Sequence, residues 1–137
     1  NIDDMNPEFY PHVIEKLQKV AIDAYIIPVI MKKGRCGILL KVLVGHEKLE
    51  EAKRIVFEET TTFGIRYYKV RREKLERDVI DIETKYGKIG VKIGYLNGKI
   101  VSISPEYEDC KKIAKTSNKP IKEIYEEAKR KAVEKLK

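Results

Sequence analysis

The spacing of apolar residues along the first half of the chain predicts two amphipathic helices. Asn6 and Pro7 are typical of a helix start, and the first helix is predicted from there to about Val20. The second is predicted over 49–58. The apolar residues that recur at helical spacing are Phe9, Val13, Ile14, Leu17 and Val20 in the first helix and Leu49, Ala52, Ile55 and Val56 in the second.

Four strand-like runs alternate with these helices. They cover 1–5, 24–31, 38–44 and 65–70, which gives the βαββαβ order of a ferredoxin-like sandwich. A right-handed helical crossover makes the first two strands parallel, so the third and fourth run in the opposite direction. In this topology the end of the first strand, the turn after the second strand and the 60–66 connection meet at one edge of the sheet.

The second half of the chain has strand periodicity followed by helical periodicity. Apolar and polar residues alternate between 79 and 104, with turns at Tyr86-Gly87 and Asn97-Gly98, which predicts a three-stranded antiparallel ribbon. Two helices are predicted after it, from about Glu106 to Lys115 and from Pro120 to the C-terminus. The predicted fold class is α+β, with a ferredoxin-like subdomain over 1–71 and a β-ribbon with two C-terminal helices over 72–137 in one compact domain.

The length and composition of the chain indicate its size class, the charge of its partner and its compartment. A chain of 137 residues is long enough for one domain with a real core, and its net charge of +7 indicates an anionic partner without saying which one. Cys36 and Cys110 lack metal-ligand spacing, so we expect a reducing, cytoplasmic compartment and no disulfide. No apolar run is long enough to cross a membrane. Because the sequence starts at Asn1 in strand-like sequence, we expect it to be a piece of a longer protein.

The turn between the second and third strands is the strongest candidate for chemistry. Met31-Lys32-Lys33-Gly34-Arg35-Cys36-Gly37 places three cations and two glycines between two apolar runs. Glycine allows positive φ and close approach to a ligand, and the cations attract an anion. Taken alone, the same residues also describe a solvated hairpin turn whose lysines only maintain solubility. The topology favours an anion site, because it brings two other polar segments to the same edge.

Four motifs resemble the C-terminal domain of the nickel-insertion proteins, the LarC cyclometallase family. They are Asn1-Ile2-Asp3-Asp4-Met5-Asn6-Pro7-Glu8, Met31-Lys32-Lys33-Gly34-Arg35, Glu59-Thr60-Thr61-Thr62-Phe63-Gly64-Ile65-Arg66 and Pro105-Glu106-Tyr107-Glu108-Asp109-Cys110. The resemblance spans Asn1 to about Ala128 and implies a lyase-class enzyme that inserts nickel into pyridinium bisthiocarboxylic acid mononucleotide, with CTP required, to make the lactate racemase cofactor. The family usually has Pro where this chain has Cys36, and the family's histidine-rich nickel-binding stretch lies outside this sequence.

A nucleoside triphosphate needs cations, hydrogen-bond donors and a divalent metal ion to neutralise its oxygens. The carboxylate oxygens of Asp3 and Asp4 are hard ligands suited to Mg²⁺ or Mn²⁺. Because adjacent strand residues point to opposite faces, we expect one of the two to bind the metal ion, and the alternative role of the other is to cap the first helix. The predicted phosphate-binding residues are Lys32, Lys33, Gly34, Arg35, Thr60, Thr61, Thr62 and Arg66.

Several other residues have side chains that could bind a metal ion or a base, but their patterns indicate structural roles. His12 and His46 are isolated, which is more typical of surface histidines than of nickel ligands. Tyr67, Tyr68 and Tyr95 are predicted to pack on the sheet, with stacking of one of them on a nucleobase as the alternative. The chain has no GxxxxGK[ST] loop and no arrangement that we assign to nucleophilic catalysis, so no catalytic residue is predicted, and the isolated domain is expected to be inactive alone.

Two other functional classes compete with this hypothesis. A basic ferredoxin-like sheet is also the scaffold of RNA-recognition domains, but their exposed aromatic residues on two central strands are missing, which disfavours nucleic acid. The predicted ribbon over 79–104 is long and apolar on one face, which favours a homo-oligomer.

Overall fold

A computed structural model describes residues 1–136 of the chain. The chain divides into two compact units, one from Asn1 to Lys69 and one that starts at Val70. Among the helices described, none combines the length and the apolar character needed to span a membrane.

The first unit is built from α1 (Tyr10–Gln18), β1 (Asp23–Ile30), β2 (Cys36–Leu43) and α2 (Leu49–Glu59). A single 3₁₀ turn, Pro7–Phe9, leads into α1, and Asn6 caps this start because its side chain accepts a hydrogen bond from the Glu8 N–H over 3.1 Å. The two strands and α2 begin and end within two residues of their predicted bounds.

The strands β1 and β2 form an antiparallel pair, with Asp23 opposite Leu43 and Ile30 opposite Cys36. The predicted first strand is reduced to one antiparallel bridge, in which Ile2 pairs with Ile38 of β2. The N-terminal segment, residues 1–5, and β1 therefore run parallel to each other on opposite sides of β2, as the predicted crossover requires.

The α+β class is confirmed, but the strand predicted over 65–70 is not formed. Residues 65–75 have no regular secondary structure. The segment lacks the alternation of a half-buried strand: Tyr67 and Tyr68 are adjacent and both exposed, and Ile65 is its contact with the core. β-propensity alone was misleading here, because nothing on one face of the segment is apolar enough to hold it against β2 or the N-terminal segment.

The core of the first unit lies between the sheet and the two helices. The N-terminal segment belongs to this core, because Ile2 and Met5 are both buried in it. The other buried members are Val13 and Leu17 from α1, Ala24 from β1, Ile38 from β2, and Ala52, Ile55 and Val56 from α2. The acidic pair between Ile2 and Met5 is thus anchored on both sides by buried side chains.

The second unit is the predicted antiparallel ribbon followed by two helices. Its strands are in the order β3-β4-β5, and the Asn97-Gly98 turn has φ values of 52° and 74°, as a type I′ hairpin requires. The elements are β3 (Glu76–Thr84), β4 (Gly87–Leu96), β5 (Lys99–Pro105), α3 (Tyr107–Ser117) and α4 (Ile121–Lys135).

The apolar face of the ribbon is covered by the chain's own helices. Ile89 packs in one buried cluster with Ile124 and Ala128 of α4, and Val91 packs in another with Ala132. The ribbon therefore does not offer the free apolar face that the sequence predicts for self-association, because α4 already covers that face.

Candidate functional site

The N-terminal segment is fixed to β2 by its backbone. The N–H of Ile2 donates to the carbonyl of Ile38 over 2.9 Å, and the N–H of Ile38 donates in return over 2.8 Å. Gly37 makes this approach possible, because a Cβ atom there would lie 2.6 Å from the Ile2 carbonyl oxygen and 2.7 Å from Met31 Sδ. The close approach that this glycine permits is thus to the chain's own backbone, and it holds the acidic pair at the start of β2.

The basic turn, residues 31–35, lies at the same edge because it leads directly into β2. The Met31 N–H donates to the Arg35 carbonyl over 2.7 Å and closes the turn. Lys33 and Gly34 have φ values of 62° and 69°. Glycine adopts this left-handed conformation readily, whereas a lysine there is strained. The turn thus keeps an exposed cation at a position that favours glycine.

Asp3 forms an ion pair with the basic turn. Its Oδ2 lies 3.4 Å from Nη1 of Arg35, and the Asp3 side chain is 16% exposed, against 51% for Arg35. A shielded carboxylate with a cation beside it is a weaker candidate for a metal ion than an exposed one, because the metal ion would have to compete with the guanidinium. Asp3 is better placed to orient Arg35.

The threonine corner, residues 60–64, follows the end of α2. The Thr60 hydroxyl donates to the Val56 carbonyl over 2.7 Å and accepts the Thr62 N–H over 3.3 Å. The Thr62 hydroxyl donates to the Gly64 carbonyl over 2.9 Å. Two of the three predicted phosphate-binding hydroxyls are therefore occupied in fixing the backbone of the corner.

Two side-chain contacts join this part of the chain to the N-terminal segment. The Thr61 hydroxyl donates to Oδ1 of Asp4 over 2.5 Å, and Nη2 of Arg66 donates to Oδ1 of Asn1 over 3.2 Å. Asp4 and Arg66 are both exposed. The predicted meeting of the three segments is therefore present, although no strand follows the corner, and Asn1 is a member that the sequence analysis missed.

Glu59 anchors the end of α2 to α1. Its carboxylate accepts a hydrogen bond from the Lys16 ammonium and lies 3.3 Å from Nε2 of His12. The Lys16 hydrogen bond is the main reason that the pKa of Glu59 is lowered. His12 thus contacts the carboxylate of the Lys16–Glu59 ion pair, and Glu59 fixes the helix from which the threonine corner starts.

The donor set fits a metal ion that arrives with a ligand. Within residues 1–136, no three His, Cys, Asp or Glu side chains come together as a metal-binding group. Asp4 offers an exposed carboxylate, and Asp3 is paired with Arg35. Mg²⁺ commonly binds through one or two carboxylates and completes its shell with substrate phosphates and water.

The motif that ends at Cys110 has a structural role in the second unit. The Asp109 carboxylate accepts the N–H of Gly90 over 2.9 Å, and the Glu106 N–H donates to the Gly90 carbonyl over 2.8 Å. These bonds tie the start of α3 to β4. Cys110 is fully buried, and burial raises the pKa of its thiol, whereas Cys36 at the start of β2 is exposed.

The prediction that three tyrosines pack on the sheet holds for one of them and fails for the other two. Tyr95 packs against the ribbon core as predicted. Tyr67 and Tyr68 are instead 62% and 74% exposed, because the strand that would have turned them onto the sheet is not formed. The Lys53 ammonium lies 4.7 Å from the centroid of the Tyr67 ring.

The sequence model of a family described as nickel insertion protein matches residues 1–125. Two curated relatives carry the name pyridinium-3,5-bisthiocarboxylic acid mononucleotide nickel insertion protein. The one from Desulfitobacterium hafniense (strain Y51) is 47% identical over 133 residues, and the one from Clostridium kluyveri is 49% identical over 126 residues. The alignments cover 96% and 91% of this chain but 33% and 32% of the relatives, so the chain spans about a third of their length.

Two solved structures share the fold. The apo form of LarC2, described as the C-terminal domain of a cyclometallase involved in the synthesis of the NPN cofactor of lactate racemase, matches with a TM-score of 0.91 and 29% identity. That match covers 96% of this chain and 91% of LarC2. A protein from Methanopyrus kandleri AV19 matches with a TM-score of 0.69 and 23% identity, covering 94% of this chain and 80% of that one, which supports the fold alone.

Proposed function

This chain belongs to the nickel insertion protein family, and we propose that it is the nucleotide-binding C-terminal domain of a cyclometallase that installs nickel in pyridinium-3,5-bisthiocarboxylic acid mononucleotide to make the lactate racemase cofactor. The names of the relatives and of LarC2 supply that substrate and that cofactor. One observation carries the proposal of a binding site, namely that three segments distant in sequence meet at one edge. The contacts are Asp3 with Arg35, Asp4 with Thr61, and Asn1 with Arg66.

The edge supplies what a triphosphate requires. The side chains of Lys32, Lys33, Arg35 and Arg66 provide positive charge from two segments, and the hydroxyl of Thr61, which donates to Asp4, holds that carboxylate at the same edge. CTP as the particular triphosphate comes from the family resemblance.

A carboxylate at the same edge would repel the phosphates unless a divalent cation lay between them. Asp4 is the proposed ligand of Mg²⁺ or Mn²⁺, because it is exposed and accepts a hydrogen bond from a neutral hydroxyl rather than from a cation. Asp3 is proposed to hold Arg35 in position. Metal ion and nucleotide would then bind together, and the metal ion alone would bind weakly.

Nickel is the cargo of the proposed reaction. The described part of the chain has no cluster of nickel ligands, and the chain spans about a third of its relatives. We therefore propose that this domain binds the nucleotide, and that nickel insertion by the lyase-class enzyme needs the full-length protein in a reducing cytoplasm. Growth of the nickel-cofactor absorbance with the 137-residue chain alone would contradict this division.

Calorimetric titration of the 137-residue chain with CTP, ATP, GTP and UTP, in Mn²⁺ and in chelator, tests the proposed site. We expect saturable binding that requires the metal ion and is tightest for CTP. If no triphosphate binds, while RNA binds with a steep dependence on salt, the nucleic-acid function would be favoured instead.

The outer face of β1 favours self-association. Tyr25 and Ile27 are 45% and 40% exposed on the face opposite the core residues Ala24 and Ile26. We propose a homo-oligomer that covers this face. Sedimentation of the wild-type chain and of Ile27→Lys should give a larger mass for the former, and a monomeric wild type would contradict the proposal.

A further inference from the structure

Phe63 is an apolar side chain that the rest of the chain leaves uncovered. It is 102% exposed, more than any other large hydrophobic residue described. We infer that the flat ring of the bound phosphate ligand stacks on Phe63. This inference rests on the proposed function, and it adds a binding residue for the part of the ligand that the cations and hydroxyls do not contact.

The side chain projects from a backbone that is fixed on both sides. Thr62, before it, bonds to Thr60 through its N–H and to the Gly64 carbonyl through its hydroxyl. Gly64, after it, directs its own N–H to the Thr62 hydroxyl over 3.4 Å. Because the backbone of the corner is already fixed, a ligand that covers the ring needs to order only the two side-chain torsions of Phe63, which favours binding.

The surroundings of Phe63 select the kind of occupant. Residues 60–69 contain the cations Arg66 and Lys69 and no acidic residue. Thr61, two positions before Phe63, contacts Asp4, the proposed metal ligand. The occupant therefore carries negative charge beside a flat apolar surface, and a nucleotide has both.

A second copy of this chain fits the position less well. It would bring the same net charge of +7 to a basic segment. Its immediate neighbours in the sequence, Thr62 and Gly64, add no large apolar side chain to the contact, and the exposed rings of Tyr67 and Tyr68 lie next to the cations Arg66 and Lys69 in the sequence. Both the nucleobase of CTP and the pyridinium ring of the mononucleotide substrate have the required chemistry, so the test distinguishes them.

Stacking on an aromatic face contributes affinity without reading the identity of the base, because every base has a π-face. We therefore expect Phe63 to favour ligands with a ring over inorganic triphosphate. Removal of the ring should lower the affinity for CTP and the affinity for ATP by similar factors, since the residue offers no hydrogen bond to either base.

The test is a set of calorimetric titrations in Mn²⁺ with CTP, ATP, inorganic tripolyphosphate and nicotinic acid mononucleotide. The proteins are the 137-residue chain and its Phe63→Ala, Phe63→Leu and Phe57→Ala variants, with thermal melts to check folding. Phe57 is the matched control, because it is a phenylalanine of α2 that is 47% exposed and lies outside the corner. Phe63→Leu keeps an apolar side chain and removes the ring.

We expect both Phe63 variants to bind CTP and ATP with an affinity about 5- to 100-fold lower, while the affinity for tripolyphosphate is unchanged. A loss confined to nicotinic acid mononucleotide would assign the stacked ring to the pyridinium substrate. Unchanged affinity for all ringed ligands, an equal loss for tripolyphosphate, or a lower oligomer mass for Phe63→Ala would overturn the inference and leave the nucleotide site standing. Failure of the unchanged chain to bind any phosphate ligand would overturn the proposed function and this inference together.

Discussion

The Thr61 hydroxyl donates a hydrogen bond to Asp4 over 2.5 Å, although 57 positions of sequence separate the two residues. This bond joins the threonine corner to the N-terminal segment. Asp3, the neighbour of Asp4, contacts Arg35 of the basic turn instead. Two adjacent carboxylates thus serve two different segments, and their substitution should have different consequences.

Asp4→Asn should abolish the Mn²⁺ dependence of CTP binding, and Asp3→Asn should mostly affect stability. An asparagine at position 4 still accepts the Thr61 hydrogen bond but no longer attracts a metal ion, so we expect a loss of about 1.5–3 kcal/mol in metal-dependent affinity. Asp3→Asn removes a partly exposed ion pair, worth about 0.2–1 kcal/mol of folding free energy. Titrations with and without chelator, together with urea unfolding, measure both. If both variants keep full metal-dependent affinity, the metal ion binds elsewhere.

Arg66→Ala should weaken CTP binding by ~1.5–3 kcal/mol, the usual range for a charge-assisted hydrogen bond. Stability should change little, because Arg66 is exposed and bonds to the side chain of Asn1. Arg54→Ala is the matched control, since Arg54 is an exposed cation of α2 that pairs with Glu58. An unchanged dissociation constant with a lower melting temperature would make Arg66 a structural residue.

Gly37→Ala should destabilise the first unit by about 1–3 kcal/mol, the usual cost of overpacking. The added methyl group would lie 2.6 Å from the Ile2 carbonyl oxygen, so the N-terminal segment must move. Gly64→Ala is the control, because a Cβ atom there meets nothing within 4 Å. Urea unfolding measures the difference, and CTP affinity should fall with stability in Gly37→Ala because the acidic pair shifts. Equal stability of the two variants would contradict the close packing at Gly37.

Glu59→Gln should reduce stability at neutral pH and have a smaller effect in acid. The folded pKa of Glu59 is lowered by Lys16, below an unfolded value of about 4.3. Its contribution is therefore present above the unfolded pKa and is lost as the pH falls through the folded pKa. Melting temperatures at about pH 7 and about pH 3 test this, with Glu58→Gln as the control because Glu58 is exposed on the same helix. A stability difference that stays constant across this range would exclude the Lys16 pair as the cause.

The sequence predicted the elements whose pattern is repeated and whose ends carry turn chemistry. The period-two alternation of 79–104, with Asn97-Gly98, predicted the ribbon, and the 9–20 series predicted α1. The strand predicted over 65–70 is not formed, because high β-propensity at Tyr67 and Tyr68 does not by itself provide a buried face. Coverage of the ribbon by α4 was also missed, since the two are joined by contacts between distant residues.

The topology predicted which segments meet at the candidate site, but it did not predict which side chains pair within the site. Strand directions were enough to bring the basic turn, the acidic pair and the threonine corner to one edge. Which threonine faces the acidic pair depends on the backbone bonds made by Thr60 and Thr62, and no sequence spacing specifies those. The pairing of Asp3 with Arg35 likewise depends on the close approach at Gly37.

The contrast between the two cysteines makes the chain a reporter of its own state. Cys36 is exposed beside the basic turn, whereas Cys110 lies in the core of the second unit with a raised pKa. A thiol-reactive fluorophore should therefore label the folded chain at Cys36 and reach Cys110 only on unfolding. Emission from the first position would follow events at the proposed nucleotide edge, and the rate of modification at the second would time the opening of the other unit, without any engineered residue.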